Sequence, residues 1–451
     1  MIDTGSIEVR RVLNTRFRIT QGGRILARIA FLYGASKFVI GPDFGSFDEL
    51  QMPVTKGQSI RPLVPFTGVP AKLAQIKELK FAYGFDDVAI APGEVTVNPE
   101  GVDTSFTLDG HEFAIPFLAS AMDAVVNPAF AGELHRLGGL AVLNLDGLQT
   151  RYADTEEIYS DIASKSREEA TAFLQKVYSQ PLQDDLVSQR VEEIKASGAT
   201  CAVSVIPANT KRLAPIVKEA GAEIIVVQST VTTVKHISKS LKGLIFSELV
   251  ESIGLPVLVG NTVSPEVTRQ LMEEGVSGIL VGVGPGAACT SREVLGIGVP
   301  QVTATIQTAF ARDQYFEDTG RYVPIITDGG IRTGGDVCKA IAAGADAVMI
   351  GTPFAQAHEA PGLGFNWGMA TPHSSLPRGT RIEVGIKASL EQILKGPSSL
   401  TDGTQNLVGA LEISMGMVGA SNVREMHQAE MMIAPSIKTE GKIFQHAGLG
   451  S

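Results

Sequence analysis

One phrase recurs along most of this chain and restricts its fold more than any other feature: a helix-like stretch, a glycine, then a short run of apolar and β-branched residues. "LGGLAVLN" near 140, "SGATCAVSV" near 200, "AGAEIIVVQST" near 223, "EGVSGILVGVG" near 278 and "AGADAVMIGTP" near 346 each spell it. Glycine there takes the left-handed conformation with which helices commonly end, and the run behind it reads as a buried strand. "PFLASAMD" near 117, "LPVLVGN" near 256 and "VPIITDGG" near 324 bring the strands to eight. Intervening segments such as "PEVTRQLMEEG" and "TGGDVCKAIAAG" have helical periodicity and open with residues suited to a first turn. Apolar strands alternating with helices imply a parallel sheet covered on both faces. Eight repeats favour a closed barrel over an open doubly wound sheet, so the expected class is α/β, a (β/α)8 TIM barrel over residues 80–451. Residues 1–79 read as an N-terminal extension of separate character. From Met1 to Ile40 it carries Arg10, Arg11, Arg16, Arg18, Arg24, Arg28 and Lys37 against only Asp3 and Glu8. A leader without catalytic work is the plain reading, and an organelle-targeting segment the alternative.

In a barrel of this kind the loops after the strands carry the chemistry, and phosphate commonly binds beside strands seven and eight. Those loops read "TDGGIRTGGD", with Asp328, Gly329 and Gly330, and "IGTPFAQA", with Gly351 and Thr352. Glycines let main-chain N–H groups approach an anion, and the start of a following helix favours the charge. Glycines that only shape tight turns are the alternative for one loop; two such loops on adjacent strands favour phosphate. After the sixth strand comes "GILVGVGPGAACTSREVLGIGVPQ", which sets Cys289 among glycines and hydroxyls. A thiolate is the attacking species of cysteine chemistry, and nearby N–H groups stabilise it. Cys289 therefore reads as a nucleophile, and Cys201 in "TCAVSV" and Cys338 in "DVCKAIAAG" as inert core residues. The GxG at Gly282 and Gly284 leads into that loop rather than into a helix, which rejects a Rossmann reading.

Three cysteines without CxxC spacing, which cannot all pair, weigh against a disulfide framework and suit a reducing, cytoplasmic setting. The net charge of -10 weighs against nucleic-acid partners. No apolar run reaches the length of a membrane span, and the seven histidines form no HExxH pattern.

At "ASAMDAVV", "GVGPGAACTSR", "DGGIRTGGDVCKAIAAGADAVMIGTPFA", "WGMATP" and "LVGALEISMGMVGA" the chain resembles the inosine monophosphate (IMP) dehydrogenase and guanosine monophosphate (GMP) reductase family, from about Phe81 to the end. It looks most like the shorter members that lack the paired CBS module, because only residues from about 147 to 190 stand where that module would interrupt the barrel. The resemblance implies that Cys289 attacks C2 of a purine nucleoside monophosphate and that the adduct yields hydride to NAD. It implies Asp328 on the ribose hydroxyls, Ser120, Gly330, Gly351 and Thr352 on phosphate or ribose, and Met122 and Met369 beside the purine. Gln228, Asn261, Gly282 and Gly284 fall on the coenzyme side. The carbonyls of Gly284, Gly286 and Cys289 match a family potassium site, and a homotetramer or larger assembly is implied.

Two departures qualify that picture. The dehydrogenases carry an Arg-Tyr pair that activates water, whereas here only "HSS" separates "GMATP" from "LPRGTRIEVG". Arg378, Arg381 and Glu383 are the substitutes within reach, and Ser291 stands where the family often has a catalytic threonine. Gln228 replaces an aspartate of the nicotinamide side. The sequence leaves open IMP oxidation, NADPH-dependent deamination of GMP, an inactive nucleotide-binding regulator, and a flavin-dependent barrel enzyme.

Overall fold

The computed structural model describes the strands of residues 8–41 by their backbone, and residues 79–237, 243–368 and 380–435 in full. It divides into two compact units, Met1–Leu79 and Lys80–Ser451. The first contains a four-stranded antiparallel sheet in sequence order, Glu8–Val12, Arg16–Gln21, Arg24–Phe31 and Phe38–Gly41.

The second contains the expected barrel. Eight parallel strands close on one another in order: β1 (Phe117–Ala119), β2 (Leu140–Asn144), β3 (Ala202–Val205), β4 (Ile224–Gln228), β5 (Val257–Thr262), β6 (Gly278–Val281), β7 (Ile325–Asp328) and β8 (Ala347–Ile350), with β8 pairing back onto β1. After β1 comes α1 (Pro128–Arg136). After β2 come α2 (Glu156–Ser164), α3 (Arg167–Tyr178) and α4 (Asp184–Ala196). Single helices α5 (Pro207–Ala220), α6 (Phe246–Ile253) and α7 (Pro265–Glu273) follow β3, β4 and β5. β6 is followed by α8 (Ser291–Leu295) and α9 (Gln301–Thr319), β7 by α10 (Gly334–Ala342), and β8 by α11 (Thr352–Ala355), α12 (Leu390–Lys395) and α13 (Leu407–Val418). The β2 connection thus holds three helices, and no CBS-type insert stands among the described residues.

The strands are mostly apolar because both of their faces are buried, and polar residues gather at their C-terminal ends, as Asn144, Gln228, Asn261 and Asp328 do. Ile224 and Val226 point into the barrel with Leu118, Leu140, Leu258, Leu280, Ile326 and Met349, while Ile225 and Val227 join the layer between strands and helices. A hairpin, Phe106–Leu108 with His111–Phe113, closes the N-terminal end of the barrel. Its Phe106, Leu108 and Phe113 belong to the same interior cluster. That plug leaves the C-terminal mouth as the open end. The glycines read as helix ends, Gly138, Gly198, Gly221, Gly275 and Gly344, all have left-handed φ. No helix among the described residues is long and apolar enough to cross a membrane.

Candidate active site

A cavity of about 660 Å³ opens at the C-terminal mouth, built from the loops after β1, β4, β6, β7 and β8 and from the strand Phe365–Trp367. Its size falls within the roughly 300–1,000 Å³ typical of small-molecule sites.

The loop after β6 turns sharply, with the Cys289 N–H donating to the Gly286 carbonyl at 3.0 Å. The turn leaves the Cys289 thiol exposed on the cavity. Cys201 and Cys338 are instead buried, and burial pushes their thiols up to about 12 and about 11. Ser291, fully buried at the first turn of α8, reaches the cavity's edge.

Against this loop packs the glycine turn after β7. Gly329 and Gly330 have φ of +90° and +81°, and a Cβ on either would come within 3.1 or 3.2 Å of the Pro285 ring. The turn and the cysteine loop therefore touch through glycine backbone, an approach a side chain would prevent. Gly351 similarly lets the β8 loop meet the β1 loop, since a Cβ there would lie 3.1 Å from Met122 Sδ and 3.6 Å from Ser120 Oγ. Thr352 begins α11 at the same wall, where the first N–H groups of a helix lack intrahelical partners.

Asp328 ends β7 at the cavity wall. Its Oδ2 accepts from Asn261 Nδ2 at 2.8 Å and Gln228 Nε2 at 2.9 Å, and Gln228 Nε2 also donates to Asn261 Oδ1 at 2.9 Å. Among the described residues no donor reaches Oδ1, which leaves that oxygen for a ligand hydroxyl. Burial raises the carboxyl to about 6, with the Asn261 and Gln228 amides pulling the other way.

The structure thus brings Cys289, Ser291, Ser120, Met122, Asp328, Gly330, Gly351 and Thr352 together, with Gly286 beside them. It does not bring Gln228, Asn261, Gly282, Gly284 or Arg381 onto that wall. The two amides are turned to Asp328, and Gly282 is buried where a Cβ would sit 2.2 Å from the Asp328 carbonyl. Gly284 backs onto Arg292, whose Cγ would be 2.7 Å from a Cβ. Arg381 donates to the carbonyls of Ile162, Ala163 and Lys165 at the end of α2, and lies over the Phe365 ring at 4.2 Å. Met369 and Arg378 lie outside the described residues.

The polar residues on the cavity that the sequence reading did not single out include Thr230, Arg332 and Asn366. Arg332 is braced by Asp86 at 2.6 Å and Asp336 at 3.1 Å. Asn366 is 1% exposed, and its Oδ1 has no hydrogen-bond partner among the described residues. It occupies a three-residue strand outside the eightfold repeat, so no periodic signal marks it.

The exposed Cys289 and the glycine turn after β7 thus meet at the C-terminal mouth of an eight-stranded α/β barrel. The family model described as IMP dehydrogenase / GMP reductase domain matches residues 82–442. The chain belongs to that family. It is 40% identical over 360 residues to an uncharacterised oxidoreductase of Mycolicibacterium smegmatis, covering 78% of this chain and 96% of that one. Similarity to an inosine-5'-monophosphate dehydrogenase of Cryptosporidium parvum is 29% over 398 residues, covering 80% and 94%. The crystal structure of an IMP dehydrogenase/GMP reductase-like protein from Corynebacterium glutamicum superposes with a TM-score of 0.75 at 35% identity, covering 79% of this chain and 96% of that one.

Proposed function

We propose that this chain oxidises IMP to xanthosine 5'-monophosphate through a covalent adduct on Cys289, in a cytoplasmic homotetramer or larger assembly. The observation that carries the reading is the meeting of an exposed thiol, the Asp328 carboxylate and two glycine turns on one cavity. The phosphate rests on main-chain N–H groups at Gly330, Gly351 and Thr352, with Ser120 beside them. Asp328 Oδ1 accepts from the ribose hydroxyls while Gln228 and Asn261 hold Oδ2. With both ends of the nucleotide fixed, the purine lies against Met122 and its C2 faces the Cys289 sulfur, which supplies proximity rather than new chemistry.

The Cys289 sulfur gives up its proton and adds to C2 as the C2=N3 double bond opens and N3 is protonated; once the C2 hydride has been surrendered, water adds to C2 and the sulfur leaves as the thiol, giving the product. When bound, NAD supplies the acceptor for that hydride. Thr230 and Ala287, also on the cavity, are neutral and suit a flat ring better than a charge. Potassium fits the hard carbonyl oxygens of the 284–289 turn, where Gly286 spends one lone pair on the Cys289 N–H and keeps the other.

A second reading is reductive deamination of GMP with NADPH. It draws support from Arg381, which is committed to α2 and so removed from water activation. Steady-state assays separate the two: NADH formed from IMP supports the first, ammonia released from GMP supports the second, and neither activity defeats both.

A further inference from the structure

Beneath the cavity, α2 and α3 build a small core of their own, in which Ala124, Leu148, Tyr159, Ile162, Tyr178 and Trp367 are packed together. Two polar groups inside it come from opposite walls of the site. Asp123 directly follows Met122 on the β1 loop and is 2% exposed. Trp367, 1% exposed, lies between Asn366 and Gly368, which both face the cavity. Tyr178, the last residue of α3, joins them: its hydroxyl donates to Asp123 Oδ2 and accepts from Trp367 Nε1 at 3.0 Å. Tyr159 of α2 braces the same point, its hydroxyl donating to the Asp123 carbonyl at 2.9 Å and accepting from Gln149 Nε2 at 3.0 Å.

We propose that Tyr178 is a positioning residue of the site, whose hydroxyl sets the spacing between the β1 wall (Ser120 and Met122) and the 366–368 wall. No other hydrogen bond among the described residues runs from the Trp367 side chain to the β1 loop, and a buried hydroxyl with both partners buried has no water to replace it. The indole N–H keeps its buried acceptor only while the 366–368 wall stays within reach of the Tyr178 hydroxyl on Asp123, alongside the backbone tie from the Gly362 N–H to the Ala124 carbonyl at 3.1 Å. The part of the proposal that concerns nucleotide affinity rests on the reading given under Proposed function.

The test compares hydrogen exchange of the ligand-free full-length protein in wild type and Tyr178→Phe, which keeps the ring and removes only the hydroxyl. Peptides covering 120–124 and 365–368 are expected to exchange at least about fivefold faster together, with peptides of β4 to β6 unchanged. Calorimetric affinity for IMP is expected to fall about tenfold with kcat within about threefold, the pattern of altered binding rather than altered chemistry. Faster exchange in one segment alone, in neither, or uniformly through the barrel overturns the proposal, as does unchanged IMP affinity with both segments loosened. Where Tyr178→Phe fails to fold, Trp367→Phe removes the same bond from its other end and must speed exchange at 120–124; no change there overturns the proposal. Wild-type protein that binds no IMP defeats the nucleotide reading alone, because the exchange comparison needs no ligand.

Discussion

The Asn261 amide and the Asp328 carboxylate are joined by a 2.8 Å hydrogen bond across the barrel mouth, from β5 to β7. With Gln228 on the same oxygen, the bond fixes which face of the carboxylate a ligand meets. Gln228 and Asn261, expected on the coenzyme side, both spend amide N–H groups on this carboxylate.

Asp328, raised to about 6, gives the site a pH dependence. Under the proposed function the ionised carboxylate accepts hydrogen bonds from the ribose diol, and protonation weakens it as an acceptor. Affinity for IMP is expected to fall as pH drops through about 6, measured by calorimetry between pH 5 and 8. Stability runs in the opposite direction. The folded state binds this proton more readily than the unfolded chain, so the contribution is full below the ordinary 3.8 and is lost as pH rises through about 6. Asn261→Ala removes a lowering influence and is expected to move the binding transition to higher pH. An unmoved transition would separate Asp328 from the ligand.

Gly330→Ala puts a Cβ at φ +81° and 3.2 Å from the Pro285 ring. The left-handed backbone alone costs about 1–2 kcal/mol, which the turn relieves by shifting its N–H groups away from the anion, so IMP affinity is expected to weaken about tenfold or more. Thr352→Ala removes a hydroxyl from the same wall, and hydrogen bonds to charged groups are worth about 1.5–3 kcal/mol. Its expected effect is a rise in the IMP dissociation constant with little change in kcat, read by titration and steady-state kinetics.

For Arg381 the expected effect is on the fold. Arg381→Met strips the end of α2 of donors to three carbonyls and should lower stability by about 1–3 kcal/mol, read by urea unfolding. With the variant folded, kcat is expected within about threefold of wild type. A loss of kcat by orders of magnitude would return Arg381 to the chemistry.

Thiol reactivity should single out one cysteine. The exposed Cys289 is expected to react with a charged disulfide reagent at pH 7 in native protein, while Cys201 and Cys338, buried and pushed up to about 12 and about 11, react only on unfolding. Peptide mapping of the labelled protein reads the difference.

The barrel was legible because each repeat carries its own signals, a left-handed glycine after the helix and a strand buried on both faces. These are local, as Gly221 before Ile224–Gln228 illustrates. Cys289 and Asp328 were legible for a related reason: barrel geometry puts whatever follows a strand at one rim. Side-chain partners were not. Whether Gln228 faces a coenzyme or Asp328 depends on its register against β5, where Gln228 lies opposite Gly260. The commitment of Arg381 to α2 and of Tyr178 to Trp367 joins positions more than 180 residues apart, and neither leaves a periodic mark.

Acid-quenching the protein with IMP and NAD during turnover, followed by peptide mapping by mass spectrometry, reads the role of Cys289 directly. The expected result is a nucleotide attached to the peptide that contains Cys289, and a Cys289→Ala variant that still binds IMP but shows neither adduct nor turnover. Substantial turnover by that variant, or an adduct on another residue, would contradict it.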